Sequence, residues 1–355
     1  MKTSVLIIGG GLAGLSLARK LQAMGCEWHL LESRDRWGGR IFTQHIDGQG
    51  FDLGPSWFWP GQPRIDALLN ELKLERFNQA YQGDLMYQDE SGKVHRGQGM
   101  ASMQGSWRLV GGLGRLIDEL VNALPAERLH LNAAVSSLSY KDQSIEVAAK
   151  SGNLFNADHV VLALPPRVAS KLTFAPALPE ESLQATRQIP TWMAGHAKAV
   201  ATYKQPFWLE QGLSGDAMSR LGPLVEIHDA SPSHGGPYAL FGFVGTPPSS
   251  RAGNAEVLES AIRQQLGSIF GDEGANPERL IVKDWAFDSN TAIDLDSDGL
   301  SHHPAYGRPN ALKSLWDGRL HFGSTEMGTQ FGGFIEGALE VAYEISEMLG
   351  RTAQS

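Results

Sequence analysis

The first 32 residues constrain the fold of this chain more than any other segment. A short apolar run at 4–8 is typical of a buried parallel strand, and a glycine-rich turn at 9–14 follows it. Apolar residues then recur at helical spacing until Gly25, where we expect the helix to end. A second strand at 28–31 leads into Glu32. The segment therefore predicts one complete β-α-β unit.

The turn has the spacing G-x-G-x-x-G, which suits a bound dinucleotide. Gly9 permits the tight turn, Gly11 lets the backbone approach a pyrophosphate, and Gly14 lets the helix pack closely on the strand. The N-terminus of the following helix offers free N–H groups and a positive dipole end to the phosphates. Glu32 can accept hydrogen bonds from both ribose hydroxyls and would repel a 2′-phosphate. The pattern predicts a site for NAD or FAD.

The loop after Glu32 favours FAD over NAD. It contains Gly38, Gly39 and Arg40, and the arginine could pair with a pyrophosphate as a bidentate donor. A further glycine-containing turn follows at 51–57.

The acidic charge balance argues against nucleic acid as a partner. The 355 residues carry a formal net charge of −9, and an acidic surface repels phosphate backbones. No apolar run reaches the length of a membrane span, and the basic residues are scattered. The single cysteine, Cys26, cannot form an internal disulfide. We therefore expect a cytoplasmic protein without a membrane partner.

The later chain predicts a second domain inserted into the first. The expected strands are 129–131, 135–140 and 145–149, read as a meander, then 160–164, 196–203, 224–227, 239–244, 280–285 and 320–322; the expected helices include 256–270 and 335–349. Residues 167–285 contain more prolines and aromatic residues than the flanks, which indicates a change of domain. The predicted dinucleotide-binding domain comprises 1–80, 105–170 and 290–355, and the substrate domain comprises 81–104 and 171–289.

Several motifs together resemble the flavin-containing amine oxidases, the monoamine oxidase-like family. Besides the glycine turn and the 37–40 loop, they are FDLGPSWFWPGQ at 51–62, VGG at 110–112, VVLALPP at 160–166, AGHAKAVATYKQPFW at 194–208 and HFGSTEMGTQFGGFIEGALEVA at 321–342. The resemblance implies a soluble member of this family with an α/β fold. It implies a Rossmann-like FAD-binding domain of the GR2 type with an inserted α+β substrate domain, built on a mixed or antiparallel sheet.

The motif and the resemblance together indicate which residues contact FAD. They are Gly9, Gly11, Leu12, Ala13, Gly14, Glu32, Ser33, Arg34, Gly38, Gly39, Arg40, Gly54, Pro55, Ser56, Trp57, Val135, Leu164, Gly323, Ser324, Glu326, Gly333, Phe334 and Ile335. The helix after Gly333 would present its N-terminus to the pyrimidine end of the flavin, where negative charge develops. Ala305 stands where some relatives have the cysteine that bonds the flavin, so we expect FAD to be non-covalent.

The resemblance also implies four residues around the reacting atoms. Lys198 would hold a water near flavin N5, Tyr306 and Phe334 would form two aromatic walls beside the substrate amine, and Trp285 would form a third. Two tyrosines are common in the family, so Phe334 is a departure. Independently of the family, a lysine between alanines on a strand is unusual for a surface position, although an exposed strand lysine is the alternative.

The expected reaction is the oxidation of an amine by hydride transfer to flavin N5, with O2 as acceptor and an imine or aldehyde and H2O2 as products. One alternative is a related desaturase or tailoring oxidase that acts on C–C bonds. Another is a flavoprotein that helps another protein to mature and has no turnover of its own.

The chain departs from the family in length, because the long helical segment that relatives carry is reduced to 81–104. The active site is then more open, or another subunit covers it, and both a monomer and a homodimer remain open. For this reason, the substrates of the family cannot be assigned to this chain. Residues 294–299 imitate the start of a calcium loop, but Ala305 at its twelfth position cannot chelate, and we expect no metal.

Overall fold

A computed structural model describes residues 2–97, 99–297, 300 and 302–352. The strands, in chain order, are β1 Lys2–Ile8, β2 Trp28–Leu31, β3 Thr43–Ile46, β4 Gln49–Asp52, β5 Arg76–Asn78, β6 Asp84–Gln88, β7 Val94–Arg96, β8 Trp107–Leu109, β9 Leu129–His130, β10 Val135–Lys141, β11 Ser144–Ala149, β12 Leu154–Leu162, β13 Thr173–Ala175, β14 Ala197–Tyr203, β15 Leu213–Ser219, β16 Leu224–Asp229, β17 Tyr238–Val244, β18 Arg279–Asp284 and β19 Leu320–Phe322. The α-helices are α1 Leu12–Ala23, α2 Pro63–Leu72, α3 Gly114–Asn122, α4 Pro166–Ala169, α5 Glu180–Gln188, α6 Phe207–Glu210, α7 Pro248–Arg251, α8 Ala255–Phe270, α9 Asp272–Ala275 and α10 Ile335–Thr352.

The first sheet has the order β13-β10-β11-β12-β1-β2-β9, with β19 beside β12. Its centre is parallel, and Ile8 lies opposite both Leu31 and Leu162. Towards their carboxyl ends, at 5–8 and 160–162, the central strands β1 and β12 are apolar because both of their faces are buried there. The common register brings the carboxyl ends of β1 and β2 together, which places the glycine turn beside Glu32. The predicted β-α-β unit is confirmed.

Two glycines allow α1 to lie close to β1. Gly9 has a φ of +114°, and a Cβ there would lie 2.5 Å from the carbonyl oxygen of Ala163. A Cβ on Gly14 would lie 2.0 Å from the carbonyl oxygen of Gly9. A side chain at Gly14 would therefore push the helix away from the strand, and a side chain at Gly9 would collide with the backbone that follows β12. Helix α10 also packs against α1, so both ends of the chain contribute to this domain.

The second sheet has the order β18-β14-β17-β16-β15-β6-β7 and is mixed, as predicted for the inserted domain. Its neighbouring strands are antiparallel except β15 and β6, which are parallel. Ala199 and Ala201 on β14 belong to the core that α8 covers, whereas Val200 belongs to a second core that contains Trp57 of the first domain. Because strand residues alternate between faces, Lys198 lies on the same side as Val200, towards the first domain.

Several local expectations were wrong. β9 does not belong to the meander, because it pairs with β2 at the far edge of the first sheet; the meander is β10-β11-β12. β15 was missed because its buried residues include Ser214 and Asp216, which lack the apolar pattern of a core strand. β13 lies in the first sheet, although the expected boundary of that domain fell at 170. The domain boundaries themselves remain a prediction.

Candidate active site

A cavity of about 940 Å³ runs from the N-terminus of α1 to the N-terminus of α10 and continues against the second sheet. The sequence-predicted residues that line it are Gly9, Gly11, Leu12, Ala13, Glu32, Ser33, Arg34, Gly38, Gly39, Arg40, Gly54, Pro55, Ser56, Trp57, Val135, Leu164, Lys198, Trp285, Ser324, Gly333, Phe334 and Ile335. Four predicted residues lie outside its lining: Gly14, Tyr306, Gly323 and Glu326. Among these residues, Gly9 and Ile335 are 326 positions apart in the sequence, and the fold brings both to one cavity.

The nucleotide end of the cavity combines a free helix N-terminus with a fixed carboxylate. Gly11 is the N-cap of α1 and provides no side chain to cap the helix, so the first N–H groups remain available to an anion. Glu32 is 3% exposed, and its Oε2 accepts a hydrogen bond of 2.7 Å from Gly10 N. Its Oε1 accepts hydrogen bonds from Ser33 Oγ at 3.0 Å and from Arg34 N at 2.9 Å. These contacts hold the carboxylate beside the N-terminus of α1.

Arg34 connects the nucleotide end to the segment after β18. Its guanidinium donates hydrogen bonds to Asp288 Oδ1 at 2.7 Å and to Thr291 Oγ1 at 3.0 Å. Asp288 in turn accepts a hydrogen bond of 3.0 Å from Lys283 Nζ. Arg34 therefore holds part of the cavity wall in place as well as lining it.

Arg40 and Glu326 form a buried ion pair. The two guanidinium nitrogens lie 2.6 and 3.3 Å from the two oxygens of Glu326, which is fully buried. Arg40 lines the cavity and Glu326 lies behind it. The expectation that Glu326 contacts FAD is therefore not supported by its position. The carboxylate instead orients Arg40, because a bidentate pair restricts the guanidinium plane.

A turn at 328–334 brings the N-terminus of α10 to the cavity, and Glu340 shapes this turn. The Glu340 carboxylate accepts hydrogen bonds from the backbone N–H groups of Thr329, Gln330 and Phe331 at 2.9 to 3.1 Å. Ser324 lines the cavity as well, and its buried Oγ has no hydrogen-bond partner among the described residues. An unsatisfied buried hydroxyl in the cavity wall is available to a ligand that carries hydrogen-bonding atoms.

Lys198 is buried at the point where the two domains meet. Its Nζ donates hydrogen bonds to Ser56 Oγ at 2.5 Å and to the carbonyl oxygen of Gly54 at 3.1 Å, and it lies 4.0 Å from the centre of the Phe241 ring. Burial lowers the pKa of Lys198 to about 7, although the charge of Asp52 opposes the shift. The amine can therefore gain or lose a proton near neutral pH.

Aromatic rings surround the same part of the cavity. Phe334 meets Trp59 edge to face, with ring centres 6.0 Å apart, and Trp59, Trp192 and Phe243 line the cavity although the sequence reasoning did not single them out. Trp59 lies within the motif at 51–62, which could have indicated it. Trp285 is fixed by a 2.9 Å hydrogen bond from its Nε1 to the carbonyl oxygen of Leu53. The rings give this end of the cavity mainly apolar walls.

Tyr306 does not face the cavity, contrary to its expected role as a wall. Its hydroxyl donates a hydrogen bond to the carbonyl oxygen of Pro190 at 2.8 Å and accepts one from Trp192 N at 3.0 Å. The ring that stacks on Phe334 is that of His303, with centres 4.7 Å apart and an angle of 19°. Tyr306 therefore supports the loop that carries Trp192.

The cavity wall formed by β16 carries a charged cluster that the sequence analysis did not predict. Glu226 lines the cavity, and its Oε1 accepts hydrogen bonds from His228 Nε2 at 3.0 Å and from Ser102 Oγ. His228 Nδ1 lies 2.8 Å from Asp216 Oδ1, and both of these side chains are buried. Glu226 and His228 occupy alternating positions of β16, and this spacing of polar residues was the available signal.

Among the described residues, neither a membrane-spanning helix nor a cluster of metal-ligating side chains is present. No helix within 2–97, 99–297 and 302–352 is both long enough and apolar enough to cross a membrane. The same residues contain no group of three or more His, Cys, Asp or Glu side chains that could hold a metal. The calcium-like stretch at 294–299 lies partly outside the described residues, and Asp296 within it pairs with Arg167 at 2.7 Å.

Comparisons with known proteins agree with the geometry. Residues 77–347 match the model of the flavin-containing amine oxidoreductase family, and residues 7–72 match that of an NAD(P)-binding Rossmann-like domain. A Mycobacterium tuberculosis protein named as a flavin-containing monoamine oxidase is 26% identical, with 97% of each chain covered. A redesigned putrescine oxidase and the cyclohexylamine oxidase of Brevibacterium oxydans IH-35A share the fold, each with a TM-score of 0.83 at 20% identity and at least 99% of both chains covered.

The chain belongs to the flavin-containing amine oxidoreductase family. It is accordingly a flavin-dependent oxidoreductase of the amine oxidase type, and FAD is its cofactor. The alignment with the M. tuberculosis protein extends over 463 positions, more than the 355 residues of this chain. The relative therefore carries segments that this chain lacks.

Proposed function

We propose that this protein oxidises a small amine at its C–N bond, with non-covalent FAD and with O2 as the electron acceptor. FAD, when bound, takes two electrons from the amine and passes them to O2, so that the products are an imine, which hydrolyses to an aldehyde, and H2O2. The observation that carries the proposal is the meeting of Lys198, the aromatic walls and the N-terminus of α10 in one cavity.

Several described residues support the proposed binding of FAD. The N-terminus of α1 and Arg40 would hold the pyrophosphate, Glu32 the ribose, and Ser324 with the N-terminus of α10 the ring system. Ala305 provides no thiol for a bond to the flavin, which supports a non-covalent cofactor.

The amine end of the cavity favours an uncharged amine. Phe334, Trp59 and Phe243 provide apolar walls, and burial in such surroundings disfavours an ammonium ion. Lys198 can hold or release a proton at Nζ near neutral pH, next to the reacting atoms in our proposal. An uncharged amine needs no protein base to lose its proton before oxidation.

Anaerobic mixing of the holoenzyme with a panel of primary amines tests the proposal. We expect loss of the oxidised flavin absorbance with at least one amine, and formation of H2O2 and aldehyde once air is admitted. Lys198→Met should slow flavin reduction or reoxidation, whereas Lys204→Met, with a side chain that is 79% exposed, should not. A flavin that no amine reduces would overturn the proposal.

The products separate this proposal from the alternatives. A new C=C bond without ammonia would indicate a desaturase, and tight FAD without any turnover would indicate a maturation partner. Family membership favours amine oxidation over both. A cytoplasmic location and a monomeric or homodimeric state remain predictions.

A further inference from the structure

A short segment after β18, residues 285–291, forms part of the cavity wall. The segment contains neither a helix nor a strand, and backbone hydrogen bonds fold it into two turns. Four of its seven residues line the cavity: Trp285, Ser289, Asn290 and Thr291. Phe287, between them in the sequence, is 57% exposed. The segment therefore separates the cavity from solvent.

The second half of this segment lies at the nucleotide end of the cavity. Arg34 donates hydrogen bonds to Asp288 Oδ1 at 2.7 Å and to Thr291 Oγ1 at 3.0 Å. The same guanidinium lies 3.6 Å from Glu32 Oε1. Because Glu32 is held beside the N-terminus of α1, residues 288–291 lie next to the place expected for the ADP half of FAD.

Asp288 fixes the backbone of Asn290 at this place. Its Oδ1 accepts a hydrogen bond of 3.1 Å from Asn290 N in addition to that from Arg34, and its Oδ2 accepts one of 3.0 Å from Lys283 Nζ. Burial would raise the pKa of Asp288, but the charges of Arg34 and Lys283 outweigh this effect and lower it. The carboxylate is 10% exposed and stays charged, so it holds Asn290 to the first domain through Arg34.

The side chain of Asn290 is available to a ligand. It lines the cavity and has no hydrogen-bond partner among the described residues, whose bonds to Asn290 involve only its backbone. A carboxamide offers two N–H donors and one carbonyl acceptor. Phosphate oxygens need donors, and ribose hydroxyls both donate and accept. The carboxamide therefore matches the polar groups of an ADP moiety.

We propose that segment 285–291 is part of the FAD site, with Asn290 as a ligand of the ADP half of the cofactor and Asp288 as a positioning residue. The ADP half is then bound by residues on both sides of the cavity, Glu32 and the N-terminus of α1 on one side and Asn290 on the other. Trp285 belongs to the same segment, so one stretch of chain contacts the ADP half and also forms an aromatic wall at the other end of the cavity.

Release of FAD from dilute holoenzyme tests the role of Asn290. Free FAD in equilibrium with the protein is separated by ultrafiltration and gives the Kd. Asn290→Ala removes no hydrogen bond between described residues, so it should fold normally and raise the Kd about five- to thirtyfold through one lost bond to the cofactor. Asn290→Asp should raise it further, because a carboxylate repels phosphate. Asn70→Ala, at an exposed position on α2, is the matched control, and a Kd for Asn290→Ala equal to that of this control would refute the contact.

Two fragments of FAD show which half of the cofactor Asn290 contacts. ADP and riboflavin each compete with bound FAD, and the concentration that displaces half of the FAD depends on the ratio of the Kd of the fragment to that of FAD. Asn290→Ala should leave this concentration nearly unchanged for ADP, because ADP and FAD lose the same contact. For riboflavin it should fall about five- to thirtyfold, because riboflavin does not use the contact. The opposite pattern would refute binding of the ADP half.

A double substitution tests the positioning role of Asp288. Asp288→Asn removes the charge that Arg34 and Lys283 contact, and it should also raise the Kd of FAD. Adding Asn290→Ala to this variant should raise the Kd by less than about twofold more, because Asn290 is then no longer held against the cofactor. If the two effects multiply in full, Asp288 does not position Asn290. These measurements follow FAD itself, so their outcome does not depend on whether any amine reduces the flavin.

Discussion

Replacement of Lys198 by methionine tests whether this lysine is a buried amine that is readily deprotonated. Burial lowers its pKa from 10.5 to about 7, while Asp52 opposes the shift and Arg108 adds to it. The side chain is 3% exposed, so solvent screens these effects little. Methionine has a similar length but cannot titrate, and the variant therefore removes the proton equilibrium while largely filling the space.

The sign of the pH dependence of stability follows from the number of protons that Lys198 binds in the folded and unfolded chains. Between about pH 7 and pH 10.5 the unfolded chain keeps the lysine proton and the folded chain loses it, so the stability of the wild type rises with pH. Below pH 7 both states are protonated, and the cost of the buried charge is constant. The whole shift corresponds to on the order of 3–5 kcal/mol. The stability of Lys198→Met relative to the wild type should therefore fall by on the order of 3 kcal/mol from pH 7 to pH 10.

Thermal unfolding of the two holoproteins at several pH values measures this difference. At about 2 °C per kcal/mol, the difference in unfolding midpoint should change by roughly 6 °C between pH 7 and pH 10. Other titrating groups are common to both proteins and largely cancel. Lys204→Met, whose lysine is exposed directly after β14, is the control for the loss of a lysine that is not buried. A pH-independent difference for Lys198→Met would refute a depressed lysine pKa.

Two other substitutions test the supports of the site. Glu326→Gln leaves the Arg40 charge without its buried partner and should lower the stability of the apoprotein by about 2–4 kcal/mol. The control Glu71→Gln removes only an exposed ion pair and should lower the stability by less than about 1 kcal/mol. Equal changes in the unfolding midpoint of the two variants would contradict this reasoning. Tyr306→Phe removes two hydrogen bonds to the loop at 190–192 and should lower the unfolding midpoint by several degrees. Flavin reduction by an amine should persist in this variant. Loss of flavin reduction with an unchanged midpoint would instead support the role of Tyr306 as an aromatic wall beside the substrate.

Much of the FAD end of the site could be predicted because it depends on local backbone geometry. The glycine turn, the helix after it and the acid at the end of β2 lie within 24 residues, from Gly9 to Glu32, and their spacing alone specifies an anion site beside a carboxylate. Lys198 was recognised from its strand context and the family motif, and the structure places it in the cavity.

The errors arose where contacts join distant segments. Arg40 and Glu326 are 286 residues apart, so the sequence could not show that the carboxylate pairs with the arginine and lies outside the cavity. Tyr306 was assigned to a wall by its position in a motif, but its hydroxyl binds a loop 116 residues earlier. Strand β15 was not predicted because its polar residues are buried against hydrogen-bond partners on other strands.

The sequence by itself determined the β-α-β unit, the dinucleotide site and the family, because these features depend on short-range residue spacing and on the order of motifs along the chain. Tertiary structure decided which side chains face the reacting end of the cavity. The row of Lys198, Phe243 and Glu226 exists only through the register of three strands, and Glu226 is hydrogen-bonded to a histidine that Asp216 contacts from a fourth strand. The register between strands depends on how the whole sheet packs, and a local sequence pattern does not specify that packing.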